Sequence, residues 1–228
     1  MSYGADDALE LAMRYLWLAA LATALGLGAP AAAGAAVAAT EWGSLAGLAT
    51  GRVAQAPAGW LNYCMADLAT CLQTSEVMLA EPTAELLALV DRVQREVNAR
   101  VQPRAEPPGR DLWQVAVGSG DCEDYALAKQ AELRAAGVPA AATRLVTARI
   151  ASGEMHAVLA VETSRGTLIL DNLHPGPVPV RELAYTWLGE QDPAGRLRWL
   201  ELGRSVPVPT PTPRYAATAG EWAQLSAQ

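Results

Sequence analysis

Residues 120–125 of the chain read GDCEDY, and they carry its strongest structural signal. Helix-forming residues follow over 126–136, and Gly137 and Pro139 end the run, so the sequence predicts a helix that begins near Cys122. At a helix N-terminus, unpaired backbone N–H groups and the positive end of the helix dipole lower the pKa of a thiol. The same N–H groups can stabilise an oxyanion. The motif therefore predicts a nucleophilic cysteine.

The chain contains two histidines, His156 and His174, and these are the candidates for the base that would accept the thiol proton. His156 lies in an apolar run, residues 155–161, that predicts a buried strand, and a second apolar run ends at Asp171. Two neighbouring antiparallel strands would bring His156 and Asp171 together. The pattern therefore predicts a triad in which Cys122 is the nucleophile, His156 the base and Asp171 the group that orients the base.

Each member of this triad also has a purely structural interpretation. A cysteine at a helix start is often a small buried residue, and a histidine beside an apolar strand is often a satisfied core residue. An Asp-Asn pair after a strand often forms a turn. His174 follows in the same loop and is expected to be exposed. The catalytic interpretation requires that Cys122, His156 and Asp171 meet in space.

Five motifs, in this order, resemble the bacterial transglutaminase-like cysteine proteinases: GDCEDYA, LRAAGVPA, RLV, HAVLAV and LILDNL. The resemblance covers roughly residues 54–199 and is strongest over residues 113–173. It implies a papain-like, transglutaminase-type α+β fold, in which the catalytic cysteine begins a helix that packs on an antiparallel sheet. It also implies a Cys-His-Asp triad, carried here by Cys122, His156 and Asp171.

The LapG-type members of this family are periplasmic proteases that release surface adhesins. The resemblance therefore implies an exported cysteine peptidase with a protein substrate, and a surface adhesin as that substrate. Relatives are held by membrane receptors, which implies a receptor partner. Two alternatives stay open: acyl transfer of the transglutaminase or amidase type, and a calcium-dependent binding module without catalysis on the same fold.

Three acidic residues flank the cysteine: Asp121, Glu123 and Asp124. Acids in the first turn of a helix cap free N–H groups and complement the helix dipole, which is one explanation for them. Clustered carboxylates also suit Ca²⁺, which prefers oxygen ligands. LapG-type proteases bind calcium through the matching acids. The resemblance therefore implies a calcium site at Asp121 and Glu123, with Asp124 as a further ligand.

The N-terminal segment indicates export, because residues 16–39 contain no charged side chain and Arg14 precedes them. An apolar run followed by Ala-rich sequence is typical of a signal peptide, so residues 1–39 are interpreted as an export signal. A retained membrane anchor is the alternative. A peptidase domain over residues 40–204 and a Pro- and Ala-rich, poorly ordered tail over residues 205–228 complete the predicted organisation. We expect the protein in the periplasm or anchored to the inner membrane.

The cysteine count agrees with export, because Cys64 and Cys71 lie close together and Cys122 is the third cysteine. In an oxidising compartment this count indicates one disulfide and one reactive thiol. A similar cysteine-bearing segment precedes the catalytic domain in some relatives. We therefore expect Cys64 to pair with Cys71, with two buried free thiols as the alternative.

The charge of the chain argues against a nucleic-acid partner. Its net charge is −7 at pH 7. The arginines around residues 92–104 and 196–198 are diluted by acids, and aromatic residues are not interleaved with them. Nucleic-acid binding needs a basic surface, so we expect no such partner.

The rest of the chain is predicted to form structural elements that support the site. Apolar residues at helical spacing predict a helix over residues 81–101 with one face in the core. Strands are expected over residues 143–150 and 196–200, and a short helix over residues 183–187. Trp113, which precedes the cysteine loop, is either a core anchor or a wall of the substrate cleft.

Overall fold

A computed structural model of the protein describes residues 41–107, 109–195 and 197–203. The predicted export segment, residues 1–39, and the predicted tail, residues 205–228, lie outside the described residues. No helix within the described ranges is long and apolar enough to cross a membrane.

The described residues form helices, strands and three short 3-10 turns. The helices are α1 (Ala58–Ala66), α2 (Leu68–Cys71), α3 (Ala84–Arg100) and α4 (Cys122–Ala135). The strands are β1 (Ala49–Ala54), β2 (Gln102–Pro103), β3 (Ser119–Gly120), β4 (Thr143–Arg149), β5 (Met155–Thr163), β6 (Gly166–Leu170), β7 (Val178–Pro179), β8 (Thr186–Gln191) and β9 (Trp199–Leu202). The 3-10 turns span Ala46–Leu48, Ala140–Ala142 and Val180–Glu182.

Seven strands form one antiparallel sheet in the order β1-β9-β8-β4-β5-β6-β7. The hairpin between β5 and β6 pairs Thr163 with Gly166, and this glycine has a φ of 125°, which a residue with a side chain adopts only under strain. Because these two strands are antiparallel, the start of β5 and the end of β6 lie at the same edge of the sheet. His156 and Asp171 therefore approach each other, as the sequence predicts.

Both faces of the sheet are buried. The layer between the sheet and the helices contains Leu145 of β4 and Leu159 of β5. Their chain neighbours Val146 and Val158 point into a second layer on the opposite face. That second layer also includes Leu45, Val178, Val180, Leu183 and Trp187. Because side chains alternate between two buried faces, the strands read as continuous apolar runs in the sequence.

Helix α3 confirms the helix predicted over residues 81–101. The Thr83 side chain accepts a hydrogen bond from Leu86 N at 3.3 Å and caps the N-terminus. The apolar face of the helix is buried in the first core layer, through Leu87, Val90, Val93 and Val97. The helix supports the sheet edge at which the candidate site lies, because Gln94 and Asn98 bind the backbone there.

Helix α4 begins at Cys122, as the sequence predicts, and packs on β5. The turn before it depends on Gly120, because a Cβ atom on this residue would lie 2.6 Å from both Cβ and Oδ2 of Asp124. At the other end, Gly137 has a φ of 90° and lets the chain leave the helix. The cysteine is therefore held at a helix N-terminus by close packing of the preceding loop.

The structure corrects one secondary-structure expectation and confirms others. The short helix expected over residues 183–187 is wrong: the 3-10 turn Val180–Glu182 precedes this segment, and Thr186 already begins β8. Its β-branched and aromatic residues gain more by pairing with β4 than a single helical turn would provide. The strand expected over residues 143–150 is confirmed as β4, and the last strand begins later than expected, at Trp199.

The expected disulfide is present. Cys64 in α1 and Cys71 in α2 are bonded, with their Cα atoms 5.6 Å apart. Cys122 is a free cysteine. The bond joins two short helices that expose several apolar side chains, so it braces a segment with limited packing of its own.

Candidate active site

The Cys122 side chain lies at the first residue of α4 and is partly exposed. Its thiol donates a hydrogen bond to Glu123 Oε2 at 3.1 Å. The backbone N–H of Ala157 in β5 faces the thiol and acts to lower its pKa. Because Ala157 follows His156 directly, the helix start and this strand meet at the predicted nucleophile and base.

His156 is directly bonded to Asp171. Nε2 of His156 lies 2.8 Å from Asp171 Oδ1, and both side chains are almost fully buried. The pairing of His156 with Ala148 in β4 fixes the backbone position of the histidine. Since Nε2 is used for the carboxylate, Nδ1 is the nitrogen that can accept a proton from a thiol.

The Asp171 carboxylate accepts further hydrogen bonds. Leu173 N donates to Oδ1 at 2.9 Å, and the Tyr185 hydroxyl donates to Oδ2 at 2.7 Å. Burial by itself would raise the pKa of Asp171, but these bonds and the contact with His156 hold it below its ordinary value. The carboxylate is therefore ionised at neutral pH and can stabilise an imidazolium.

The electrostatics at the thiol differ from the sequence expectation. Burial, the charge of Glu123 and the hydrogen bond to Glu123 raise the pKa of Cys122, and the charge of Asp121 acts in the same direction. The backbone N–H of Ala157 acts against this rise. The expectation of a lowered thiol pKa is therefore wrong in this structure, because burial and the adjacent carboxylates both favour the neutral thiol.

Three carboxylates converge beside the cysteine. One oxygen from each of Glu106, Asp121 and Glu123 lies within 4.8 Å of the others. Asp121 Oδ1 is buried and has no hydrogen-bond partner. Burial, reinforced by the nearby charge of Asp121, raises the pKa of Glu123 to about 7. Partly buried carboxylates that repel each other form an arrangement that a cation would stabilise.

Asp124 lies outside this group of three carboxylates. Its Oδ1 accepts a hydrogen bond from Gln114 N at 2.9 Å, which ties the loop before the cysteine to α4. Burial raises the pKa of Asp124 to about 6, although the bond from Gln114 acts against this rise. The role of Asp124 as a cation ligand stays a prediction, and its contact in the structure is with the backbone of the loop.

Sequence reasoning did not find Glu106 or Tyr185. Glu106 lies in a Pro-rich loop and accepts a hydrogen bond from Leu112 N at 2.9 Å, so it is folded back toward the cysteine loop. Tyr185 lies immediately before β8, in the segment that was expected to be helical. No local pattern connects either residue with the cysteine, because both reach the site through tertiary contacts.

The expectation that His174 is an exposed loop residue is wrong. Its side chain is 20% exposed, and its Nε2 lies 3.2 Å from the Tyr185 hydroxyl. The carbonyl oxygen of His174 accepts hydrogen bonds from Gln94 and Asn98 of α3. Helix α3 therefore holds this loop against the site, and the second histidine lies close to the first.

Trp113 is a core anchor rather than a cleft wall. It is 8% exposed and packs edge-on against Trp60 and Trp199, with ring centroids 6.1 and 6.2 Å away. Its indole N–H donates to Asp111 Oδ1, and Asp111 Oδ2 accepts from Gly59 N at 2.7 Å. This aromatic cluster joins α1 to the loop that precedes the cysteine.

A large antiparallel sheet packed against a helix that begins at a free cysteine is the architecture of a transglutaminase-like thiol enzyme. Residues 50–206 match the family of bacterial transglutaminase-like cysteine proteinases, which is more than half of the chain. The chain belongs to this family, and it is a cysteine proteinase.

Solved structures similar to this chain include three of LapG from Legionella pneumophila. The calcium-bound form is 23% identical over 63% of this chain and 84% of its own, with a TM-score of 0.44. The EGTA-treated form is 23% identical over 61% of this chain and 77% of its own, with a TM-score of 0.44. A third LapG structure is 25% identical over 53% of this chain and 76% of its own, with a TM-score of 0.42. No protein of curated function matches this chain significantly.

Proposed function

We propose that this proteinase is exported and cleaves its protein substrate with the triad Cys122, His156 and Asp171. The 2.8 Å contact between His156 Nε2 and Asp171 Oδ1 carries the proposal, because it orients the imidazole and leaves Nδ1 for the thiol proton. The effect of the Ala157 N–H on the thiol supports it, because Ala157 adjoins the histidine and its N–H must therefore lie near the sulfur.

The reaction follows from these roles in two half-reactions. The Cys122 sulfur attacks the carbonyl carbon of the scissile bond, and the thiol proton passes to His156 Nδ1. The carbon–nitrogen bond breaks, the proton moves to the leaving amine, and a thioester remains on Cys122. Water then attacks the thioester and gives one proton, through His156, to the departing sulfur, which releases a carboxylic acid. Asp171 stabilises the imidazolium that exists between these steps.

The helix N-terminus supplies a donor for the tetrahedral intermediate. The first intrahelical hydrogen bond of α4 runs from Tyr125 N to Asp121 O. The backbone N–H of Cys122 precedes this bond and has no role in it. An oxyanion formed on the attacked carbonyl would accept a hydrogen bond from this group, which strengthens as charge develops.

Calcium is the cofactor that the site favours, with Glu106, Asp121 and Glu123 as its protein ligands. The fit rests on the buried, unpartnered Asp121 Oδ1 and on three converging carboxylates, which are the hard oxygen ligands that calcium prefers. When bound, calcium supplies positive charge that offsets Glu123 and lowers the pKa of the thiol. Asp124 stays a predicted ligand.

Export to the periplasm is proposed from the uncharged residues 16–39 and from the disulfide between Cys64 and Cys71. Retention of the same N-terminal segment as an inner-membrane anchor is the alternative. A surface adhesin as substrate and a membrane receptor as partner are proposed from the family resemblance alone.

The first experiment measures the reactivity of Cys122 in the full chain. Iodoacetamide alkylation is followed across pH by peptide mass spectrometry, once with calcium chloride and once with EGTA. We expect calcium to lower the apparent pKa of Cys122 and EGTA to restore a high value. Slow alkylation at every pH under both conditions would refute an activated nucleophile.

The second experiment tests peptide-bond cleavage. A denatured bacterial proteome is incubated with the protein, and new N-termini are identified by mass spectrometry. We expect new N-termini with the natural chain and with His174→Asn, and none with Cys122→Ala or His156→Gln. If His174→Asn were inactive and His156→Gln active, the assignment of the base would be reversed.

A further inference from the structure

Two histidines face a single carboxylate in this site. His156 Nε2 lies 2.8 Å from Oδ1 of Asp171, whereas His174 Nε2 lies 3.8 Å from Oδ2. The hydroxyl of Tyr185 lies 2.7 Å from the same Oδ2 and 3.2 Å from His174 Nε2. The tyrosine oxygen is therefore in hydrogen-bond contact with both the carboxylate and the second histidine.

The protons in this arrangement have one consistent assignment. An ionised carboxylate has no proton to donate, so the single hydroxyl proton of Tyr185 belongs to the bond with Asp171 Oδ2. The tyrosine oxygen is then the acceptor, and His174 Nε2–H is the donor. The hydroxyl therefore donates to the Asp171 carboxylate and accepts from His174 at the same time. With this bond in place, His174 Nε2–H is paired without contacting the carboxylate directly.

Helix α3 fixes the backbone of His174 beside Asp171. Gln94 donates hydrogen bonds to the carbonyl oxygens of both Asp171 and His174, each at 2.7 Å, and Asn98 also binds both. The aspartate and the second histidine are therefore attached to one face of α3. Without the hydroxyl, a shift of less than 1 Å would bring His174 Nε2 from 3.8 Å into hydrogen-bond distance of Oδ2.

The ring of Tyr185 contacts two aromatic side chains that belong to the sheet. It packs edge-on against His156, with centroids 6.1 Å apart, and it contacts Trp187 at 5.5 Å. Trp187 is fully buried in β8, which pairs with β4. The sheet therefore supports the tyrosine ring from one side, while its hydroxyl contacts the loop that carries Asp171 and His174.

We propose that Tyr185 is a positioning residue. Its hydroxyl accepts a hydrogen bond from His174, so that the Asp171 carboxylate stays paired with His156. The inference rests on the proposed function, in which Asp171 orients His156 as the base. Loss of the hydroxyl turns the second histidine into a competitor for the carboxylate. An imidazolium at His156 then loses part of its counter-charge, and the thiol gives up its proton less readily.

The test uses Tyr185→Phe in the full chain with calcium chloride present. Because the chain has only two histidines, His156 and His174, the NMR signals of each ring are assigned with a single His→Asn variant. In Tyr185→Phe we expect the pKa of His174 to rise, because it pairs with Asp171. The rate of iodoacetamide alkylation of the cysteine at pH 7 is expected to fall at least about tenfold, the effect of one weakened charged hydrogen bond.

The decisive comparison is the double variant Tyr185→Phe with His174→Asn. If competition from His174 for the carboxylate causes the slower alkylation, the double variant should alkylate faster than Tyr185→Phe. The logarithm of its rate should recover at least half of the decrease seen in Tyr185→Phe. Tyr125→Phe is the matched control, because it also removes a phenolic hydroxyl bonded to a buried acceptor, the carbonyl of Val101. We expect Tyr125→Phe to lower the thermal midpoint as much as Tyr185→Phe does and to leave the His174 titration unchanged.

Two results would overturn the inference: an unchanged His174 titration in Tyr185→Phe, or no recovery of alkylation in the double variant. Failure of the proposed function gives a different result. In that case Cys122 of the natural chain is not activated, whereas the His174 titration still responds to the loss of the hydroxyl. The NMR measurement therefore separates the two failures.

Discussion

Replacing Asp171 with asparagine tests the central electrostatic contact of the site. Asparagine has nearly the shape of aspartate, and its carbonyl can still accept the bonds from His156 Nε2 and Leu173 N. The negative charge beside the imidazole is lost. The substitution therefore removes the stabilisation of an imidazolium and leaves the backbone geometry in place.

The size of the effect follows from the 2.8 Å separation of His156 Nε2 and Asp171 Oδ1, which puts the two charge centres about 4 Å apart. At an effective dielectric constant of about 20, such charges attract each other by about 4 kcal/mol. The thiolate–imidazolium pair should lose most of this energy. We expect the alkylation rate of Cys122 at pH 7 to fall by roughly 10²- to 10³-fold.

The assay is iodoacetamide alkylation in calcium chloride, with circular dichroism to confirm that the variant is folded. Asp192→Asn is the matched control, because Asp192 is also a buried carboxylate but pairs with Arg198 between β8 and β9. The control should alkylate at the natural rate. A folded Asp171→Asn variant that alkylates within about threefold of the natural chain would refute the reasoning, since this corresponds to less than about 1 kcal/mol.

Three further predictions concern stability. Gly120→Ala places a Cβ 2.6 Å from a carboxylate oxygen in the first turn of α4 and should cost about 1–3 kcal/mol in urea unfolding, whereas Gly47→Ala, with nothing within 4 Å, should be nearly neutral. Reduction of the disulfide between Cys64 and Cys71 should lower the free energy of unfolding by about 2–3 kcal/mol, because the unfolded chain regains the entropy of the open loop. If the thermal midpoint falls by less than this free energy implies, loop-closure entropy is not the main contribution of the bond. In EGTA, the raised pKa of Glu123, about 7, means that the folded state binds more protons than the unfolded state, so stability should fall as pH rises from about 4.5 through 7. Glu123→Gln should make this slope shallower, and the part that remains comes from Asp124, whose pKa is raised to about 6.

The helix α4 and the strands β4 and β5 could be predicted because their signals are local. Helix formers that end at Gly137, and uninterrupted apolar runs, describe elements whose residues are neighbours in the chain. The segment at residues 183–187 could not be predicted in this way. Its conformation is set by β4, a strand almost forty residues upstream, and local propensity is too weak to compete with sheet pairing.

The sequence alone determined the three residues of the predicted triad and the elements in which they lie. A free thiol at a helix start, a histidine at a strand start and a carboxylate at a strand end are all visible in the order of residues. The family follows from the same motifs, because spacing within an element is constrained by the backbone periods of helices and strands.

Only the tertiary structure decided which charges act on these residues. Glu106 joins Asp121 and Glu123, Tyr185 stands between two histidines, and the thiol pKa is raised rather than lowered. Electrostatic interactions depend on distance and burial, which are properties of the packed chain. Burial in the packed chain, together with the Glu123 carboxylate, thus raises the pKa of a thiol that lies at a helix N-terminus.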